Sequence, residues 1–506
     1  MIDLVDSMLN RITMYRLVLY YLIFLLAVAI VLSLGGVLPY DPFALLFSTG
    51  FLVAVCVVTN AIFAKAFDVP ANAESVYISA LILALIVTPL QSTQDLWFLG
   101  WSAILAMASK YILAIRGKHI FNPVAFAVAL TALTIDQTAS WWVGNAPMLP
   151  FVLAGGILVV RKIRRFNLAA SFVLAALVTI LLFSLLGGES IVATVQNTFL
   201  YSPLLFFACI IVTEPLTTPP TWKLQVYYGA LVGFLFTPQA HIGALYTTPE
   251  LAILMGNVFS YIVSPKAKLM LKLREKVQIA PDIYDFIFAP TMNLAFAPGQ
   301  YMEWTLGHKD PDNRGNRRFF TLASSPTEHN IRLGVKFYRD PSSFKQALLS
   351  LDQSREIVAA QVAGDFVLPE NPQQKCVFIA GGIGITPFRS MIKFLLDTHQ
   401  PRPITLFYVN RTIDDIVYKD IFNQAQQQLG IKTIYVLTDA RNHPLSWQGT
   451  IGHISAQLIK EEVPDYMDCM FYISGSKGMV DSFKELLRQL DIKGDHIKTD
   501  FFAGLA

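Results

Sequence analysis

Lys375-Cys376-Val377-Phe378-Ile379-Ala380-Gly381-Gly382-Ile383-Gly384-Ile385-Thr386-Pro387 is an apolar run that stops in a glycine-rich turn and restarts at a proline. The run reads as a buried strand, and the residues after it read as a helix through Met391 and Leu395. Gly381, Gly382 and Gly384 let backbone N–H groups approach a pyrophosphate at a helix N-terminus, and Pro387 suits a first helical turn. A glycine turn needed only for packing is the competing reading of such a stretch taken alone. Further apolar runs at 404–409, 434–437 and 470–474 repeat the alternation of strand and helix. The segment 371–506 therefore predicts a parallel α/β sheet.

Upstream the style differs. Residues 277–288 and 332–338 alternate apolar and polar, and Pro298-Gly299-Gln300-Tyr301 supplies a tight turn, which predicts a small antiparallel barrel over 270–370. Within it lies Arg318-Phe319-Phe320-Thr321, a cation, two rings and a hydroxyl in sequence.

Taken in order, Pro298-Gly299-Gln300-Tyr301, Arg318-Phe319-Phe320-Thr321, the 381–387 turn and Ser474-Gly475-Ser476 make the chain from about 270 onward resemble the ferredoxin-NADP reductase family. The resemblance implies FAD and NAD(P)H as cofactors. It implies that Arg318 binds the FAD phosphates, that Phe320 packs against the isoalloxazine and that Thr321 hydrogen-bonds near its reactive edge. Ser343, in the Asp340-Pro341-Ser342-Ser343 turn, falls where the family places further phosphate contacts, although the usual glycine is absent. Thr386 would face the nicotinamide, with Pro387 and Gly475 beside it. Ser474 stands where many relatives have a cysteine, so that Thr321, Thr386 and Ser474 would be the catalytic set. The closing Asp500-Phe501-Phe502-Ala503-Gly504 resembles the family's acidic-x-aromatic ending, with Phe502 covering the flavin or packing in a core. Arg411 follows the second strand and could favour a 2′-phosphate, whereas Asp414 and Asp415 would repel one, so NADH and NADPH stay equally open.

The first half has another character. The 506 residues have a mean hydropathy of +0.49 with only 15% charged residues. The excess apolarity lies before about residue 265, in runs such as 17–34, 44–64 and 168–186. Apolar runs read against breakers give about ten spans, near 15–36, 43–64, 75–90, 96–115, 119–135, 148–161, 168–187, 197–213, 225–238 and 248–263. Arg11 and Arg16 precede the first run without a small-residue cleavage site, which predicts a retained anchor. With a cytoplasmic N-terminus, Lys65, Arg116, Lys118, Arg161, Lys162, Arg164, Arg165, Lys223, Lys266 and Lys268 all fall in cytoplasmic loops, and the opposite loops carry no Lys or Arg. That bias is the positive-inside rule, and it predicts a multi-pass cell-membrane protein with its C-terminal half in the cytoplasm.

Composition and spacing exclude other classes. Net charge is +3, with no basic run interleaved with exposed aromatics, which excludes nucleic acid as a partner. Cys56, Cys209, Cys376 and Cys469 lie far apart, against zinc and against a self-contained iron-sulfur domain, so no metal site is predicted. Paired haem ligands are missing too, since the first half holds only His119 and His241.

Phe121-Asn122-Pro123-Val124-Ala125-Phe126, the basic stretch 161–166, and Thr213-Glu214-Pro215-Leu216-Thr217-Thr218-Pro219-Pro220 before Tyr228-Gly229-Ala230 make residues 15–262 similar to the NqrB/RnfD family of membrane redox subunits. That family commonly holds FMN on the threonine of a Ser-Gly-Ala-Thr segment. This chain has no such segment, and Asp136-Gln137-Thr138-Ala139-Ser140 lacks the glycine, so the resemblance implies a noncovalent FMN or riboflavin. Asn122-Pro123 could present half-helix dipoles to a ligand or mark a simple kink, and Glu74 and Glu214 could be ion ligands or helix caps.

The expected architecture is a polytopic α-helical membrane domain of about ten spans (1–264), an antiparallel β-barrel FAD domain (270–370) and a parallel α/β nicotinamide-binding domain (371–506). The expected activity carries electrons from NAD(P)H through FAD, and through a membrane flavin, to a quinone or an extracytoplasmic acceptor protein. A redox-driven Na+ or H+ pump, a haem-dependent ferric reductase and a passively anchored flavin reductase are the alternatives.

Overall fold

The computed structural model describes residues 5, 8–9, 12–67, 73–115, 118–237, 241–242, 245–264, 269–292, 294–312, 315–353, 355–439, 447 and 449–502. Arg11, Arg116, Pro265, Lys266, Lys268, Ala503 and Gly504 lie outside them. The chain divides into two compact units, Met1–Ala267 and Lys268–Ala506.

The first unit is helical: α1 (Met14–Leu34), α2 (Pro42–Ala66), α3 (Ala73–Ile86), α4 (Asp95–Ile112), α5 (Pro123–Ile135), α6 (Leu149–Ile163), α7 (Phe166–Leu186), α8 (Ile191–Leu200), α9 (Trp222–Leu235) and α10 (Pro249–Val263). Caps fix several starts. Thr13, Asp41, Asn122, Ser190 and Thr248 each accept a backbone N–H from the first turn that follows.

The ten apolar segments are all helical, yet the expectation of ten crossings needs correction. Among the described residues only α1, α2 and α7 are long and apolar enough to cross a membrane, and α8 with 204–211 makes a fourth if that pair, bent by 57°, is one span. At about 1.5 Å per residue, α3, α5 and α10 reach only about 20 Å, against a hydrocarbon layer of about 30 Å. Past α3 the apolar run continues through Val87, Pro89 and Leu90 in non-helical chain, which hydropathy cannot separate from helix. The end of α3 shows how such chain is satisfied. Trp141 N–H donates to the Ile86 carbonyl at 2.8 Å and Val143 N–H to Leu85 at 3.2 Å. The Trp142 indole donates to the Ala84 and Val87 carbonyls at 3.0 and 3.1 Å. A returning loop thus caps the carbonyls that the helix leaves over.

The second unit holds two sheets. β1 (Leu269–Ala280), β2 (Ile283–Pro290), β3 (Tyr301–Thr305), β4 (Arg317–Thr321), β5 (Ile331–Lys336) and β6 (Glu356–Ala363) form an antiparallel sheet in the order β4-β3-β6-β1-β2-β5, with α11 (Ser343–Leu349) between β5 and β6. Just past the end of β4, Ala323 N–H donates to the Arg332 carbonyl at 3.0 Å, joining that end to β5 at the far edge.

β7 (Cys376–Gly381), α12 (Thr386–Asp397), β8 (Ile404–Asn410), α13 (Lys419–Leu429), β9 (Lys432–Leu437), β10 (Thr450–Ile451), α14 (Ala456–Glu462), β11 (Met470–Ser476), α15 (Lys477–Gln489) and β12 (Ile497–Phe502) follow. Their strands pair in parallel in the order β10-β9-β8-β7-β11-β12. β7 is central and buried on both faces, which explains its unbroken apolar run.

Candidate active site

Strand β4 sorts its residues by face. Arg318 and Phe320 share one side and both meet Phe344 of α11, the guanidinium 5.2 Å and the Phe320 ring 5.8 Å from the Phe344 centroid. Thr321 points the other way, where its Oγ1 donates to Asp500 Oδ2 at 3.4 Å.

Arg318 Nη2 donates to both carboxylate oxygens of Asp312, at 2.9 and 3.0 Å, and its Nη1 donates to the carbonyls of Gly315 and Arg317. Ser343 lies beside this cation. Its Oγ accepts Asp312 N–H at 2.9 Å and is 3.0 Å from His308 Nε2, while His308 Nδ1 donates to the Leu306 carbonyl. The Asp312 carboxylate stands in for an anion on Arg318, and a guanidinium accepts a phosphate in the same forked way. Arg318 and Ser343 therefore fit a diphosphate.

The glycine turn has a divided role. A Cβ on Gly384 would stand 2.4 Å from the Ser474 carbonyl oxygen, and one on Gly381 2.0 Å from Met479 Sδ, with Gly475 near the same sulfur. These three glycines let the ends of β7 and β11 close on each other. Gly382 differs: its φ is +52° and its Cβ position is open. The turn enters α12 through Thr386 and Pro387. Ser474 is fully buried and its Oγ has no hydrogen-bond partner among the described residues. Beside it in register stands Asp500. Thr321 thus meets the Asp500 carboxylate, and Ser474 is its register neighbour without a bond to it. Sequence reasoning places Asp500 in the closing motif but gives it no role at the site. Phe502 is paired in register with Ser476, and its side chain lies outside the described residues.

Sequence reasoning also missed the seam between the two sheets. Arg389 of α12, 3% exposed, bonds the Ala323 carbonyl and Glu328. Lys336 of β5 pairs with Asp415 at 2.9 Å, so Asp415 is turned to a lysine and to Thr412. Burial pushes the Glu328 carboxyl up, but the Arg389 bonds and charge outweigh it and hold it below the usual range. Burial leaves Asp285 above that range despite Arg332. Such contacts link positions dozens of residues apart and leave no periodic trace. The one signal was an arginine in the stretch Thr386-Pro387-Phe388-Arg389-Ser390-Met391-Ile392, otherwise a buried helix start.

The helical unit contains a polar chain among apolar walls. Asn122 caps α5 through Oδ1, donates from Nδ2 to Glu214 Oε2 at 2.8 Å, and donates its N–H to Asn257 Oδ1 at 2.7 Å. Asn257 reaches the Tyr228 hydroxyl at 3.1 Å, and Thr217 donates to Glu214. Glu74 pairs with Arg16 at 3.1 Å. Next to the chain is a cavity of about 70 Å³, lined by Ser75, Lys110, Asn122 and Glu214 together with apolar residues such as Val18 and Ile163.

Comparison with known proteins agrees with this division. Residues 139–266 match the family described as NQR2, RnfD, RnfE, and residues 378–485 match the oxidoreductase NAD-binding domain. The second unit is similar to a flavohemoprotein of Oceanobacillus iheyensis, 27% identical over 46% of this chain and 59% of that protein. It is also similar to NADH-cytochrome b5 reductase 1 of Ajellomyces capsulatus, at 28% over 47% of this chain and 80% of that one. A component of the Na(+)-translocating NADH-quinone reductase of Yersinia pestis is 28% identical over 37% of this chain and 49% of its own length. The chain spans about three fifths of the flavohemoprotein. Among solved structures, an Amycolatopsis cytochrome P450 reductase superposes with a TM-score of 0.42 at 22% identity, covering 47% of this chain and 70% of that one. One polypeptide therefore joins an NQR2/RnfD/RnfE-like helical half to a ferredoxin-reductase-type, NAD-binding half.

Proposed function

We propose that the protein is a membrane-bound, FAD-dependent NAD(P)H oxidoreductase. The observation that carries the reading is the hydrogen bond from Thr321 of the antiparallel sheet to Asp500 of the parallel one, whose register neighbour Ser474 lies against the Gly381–Gly384 turn. In this reading 1–264 is the membrane domain, 270–370 an FAD-binding barrel joined edge to edge beyond β4, and 371–506 the nicotinamide domain.

Arg318 and Ser343 hold the FAD diphosphate, and Phe320 supports the ring system from the Arg318 side of β4. FAD, when bound, converts a two-electron hydride donor into a source of single electrons. Thr321 and Asp500 place a hydroxyl and a carboxylate at that junction, and Ser474 adds a second hydroxyl in a dry setting. Thr386 and Pro387 shape the turn on which the nicotinamide lies, while Gly382 leaves its backbone open to the dinucleotide.

A noncovalent FMN or riboflavin in the helical half would relay the electrons to a quinone or an extracytoplasmic protein. The NQR2, RnfD, RnfE match over residues 139–266 supports this step, whereas the cavity of about 70 Å³ beside Asn122 and Glu214 is too small for a flavin ring system and is not assigned to it. In this reading the protein crosses the cell membrane several times with its reductase half in the cytoplasm, an orientation that requires an even number of crossings from a cytoplasmic N-terminus.

Flavin extraction and anaerobic stopped-flow reduction test the proposal together. The expected result is FAD plus a second flavin, with rapid bleaching by NADH or NADPH. Purified protein that binds no flavin, or whose flavin neither nucleotide reduces, would refute it.

A further inference from the structure

Helix α12 begins at Thr386 and one turn later turns charged and polar side chains toward the flavin sheet. Arg389 donates to the Ala323 carbonyl at 2.9 Å and to both carboxylate oxygens of Glu328, and lies 5.6 Å from the centre of the Tyr418 ring. Ser390 Oγ donates to the Ser324 carbonyl at 2.6 Å and accepts Gly299 N–H at 3.4 Å. Thr327 Oγ1 donates to Asp397 Oδ2 at 2.5 Å, at the far end of the same helix. All the sheet-side partners on 323–328 follow within seven residues of Thr321. Behind them Arg332 joins Asp285 at 2.8 Å and Glu328 at 3.4 Å, so two arginines and two carboxylates meet in a seam where Arg389 and Asp285 are 3% and 1% exposed.

A seam that had only to adhere would do as well with apolar side chains, since buried ion pairs recover little more than their desolvation cost. What a forked guanidinium adds is direction and register. We propose that Arg389 and Glu328 are positioning residues, which lock the start of α12, and with it the Gly381–Gly384 turn, at a fixed separation from the strand carrying Thr321. The inference rests on the hydride-transfer reading above, in which a hydride leaves the dihydronicotinamide carbon with both electrons of its C–H bond and is taken up by the flavin. That step needs reacting atoms about 3–3.5 Å apart, and an error of about 1 Å costs about 100-fold in rate.

The test uses the full-length protein in detergent with FAD, comparing Arg389→Met, Arg389→Lys and the isosteric Glu328→Gln with wild type. FAD affinity is read by fluorescence titration, and NADH affinity and limiting flavin-reduction rate by anaerobic stopped flow, which also records the long-wavelength charge-transfer band of the nicotinamide–flavin pair. Arg389→Met and Glu328→Gln are expected to bind FAD and NADH within about threefold of wild type, while the limiting rate falls by about 30- to 100-fold and the charge-transfer band is lost. Arg389→Lys recovers part of both. A wild-type rate in Glu328→Gln would overturn the inference, and so would a rate loss in that variant matched by an equal loss of FAD. If wild type itself is reduced by neither nucleotide, the parent reading fails and this one falls with it.

Discussion

Arg318 shows how far one side chain can be interrogated. In the proposed reading its cation carries the FAD phosphate contact, and a hydrogen bond to a charged group contributes about 1.5–3 kcal/mol. Arg318→Ala should therefore weaken FAD binding by about 10- to 150-fold in a fluorescence titration, with membrane insertion unchanged. Two glycines of the same turn separate packing from conformation. Gly384→Ala drives a methyl against the Ser474 carbonyl and should cost about 1–3 kcal/mol of stability. Gly382→Ala meets no atom and should cost only the left-handed strain of about 1–2 kcal/mol. Chemical denaturation of the two variants orders them, with Gly384→Ala the lower. At this scale the short local patterns around Arg318, Thr321, Ser474 and the turn were legible in the chain as candidates. The purpose of Gly384 was not, because its neighbour is a backbone some ninety residues on, and neither was Asp500 as a partner of Thr321.

Between elements, the seam of the reductase half is built from pairs whose members lie far apart in sequence. Lys336 lowers the Asp415 carboxyl below its ordinary range, outweighing a burial effect that acts the other way. A carboxyl lowered in the folded state adds stability above its unfolded pKa, about 3.9, and loses it as pH falls through the folded value. Asp415→Asn should thus melt below wild type at neutral pH, and the gap should close as pH is brought under about 3.9. A gap that persists unchanged in acid would mean that the pair contributes nothing. In the helical half, Asn122 both caps α5 and bonds Glu214, so Asn122→Ala should cost at least the ~1 kcal/mol of a lost cap, read as a lower melting temperature in detergent. The strands and helices themselves were readable, since period and breakers mark them. The bounds of α10 were readable too, 248–263 against Pro249–Val263, whereas the end of α3 was not, because Val87, Pro89 and Leu90 carry the apolar run past Ile86 and hydropathy does not register where backbone hydrogen bonds stop.

Across the whole molecule, the division near residue 265 follows from composition alone, and the contact pattern divides the chain at Ala267. The number of crossings decides which side the reductase faces, and only an even count returns it to the side of the N-terminus. A reporter fused at the C-terminus should be active in the cytoplasm and inaccessible to protease added outside intact cells. External cleavage would reverse the assigned orientation.

The corner where Gly384 meets Ser474 separates two kinds of heritable change. The tight contact there is made by the Ser474 carbonyl, whereas its Oγ makes no bond among the described residues. That side chain can therefore be exchanged, serine for cysteine, while the main-chain corner stays as it is. Gly384 has no such latitude, and mutational drift should be tolerated on one side of the corner and purged on the other.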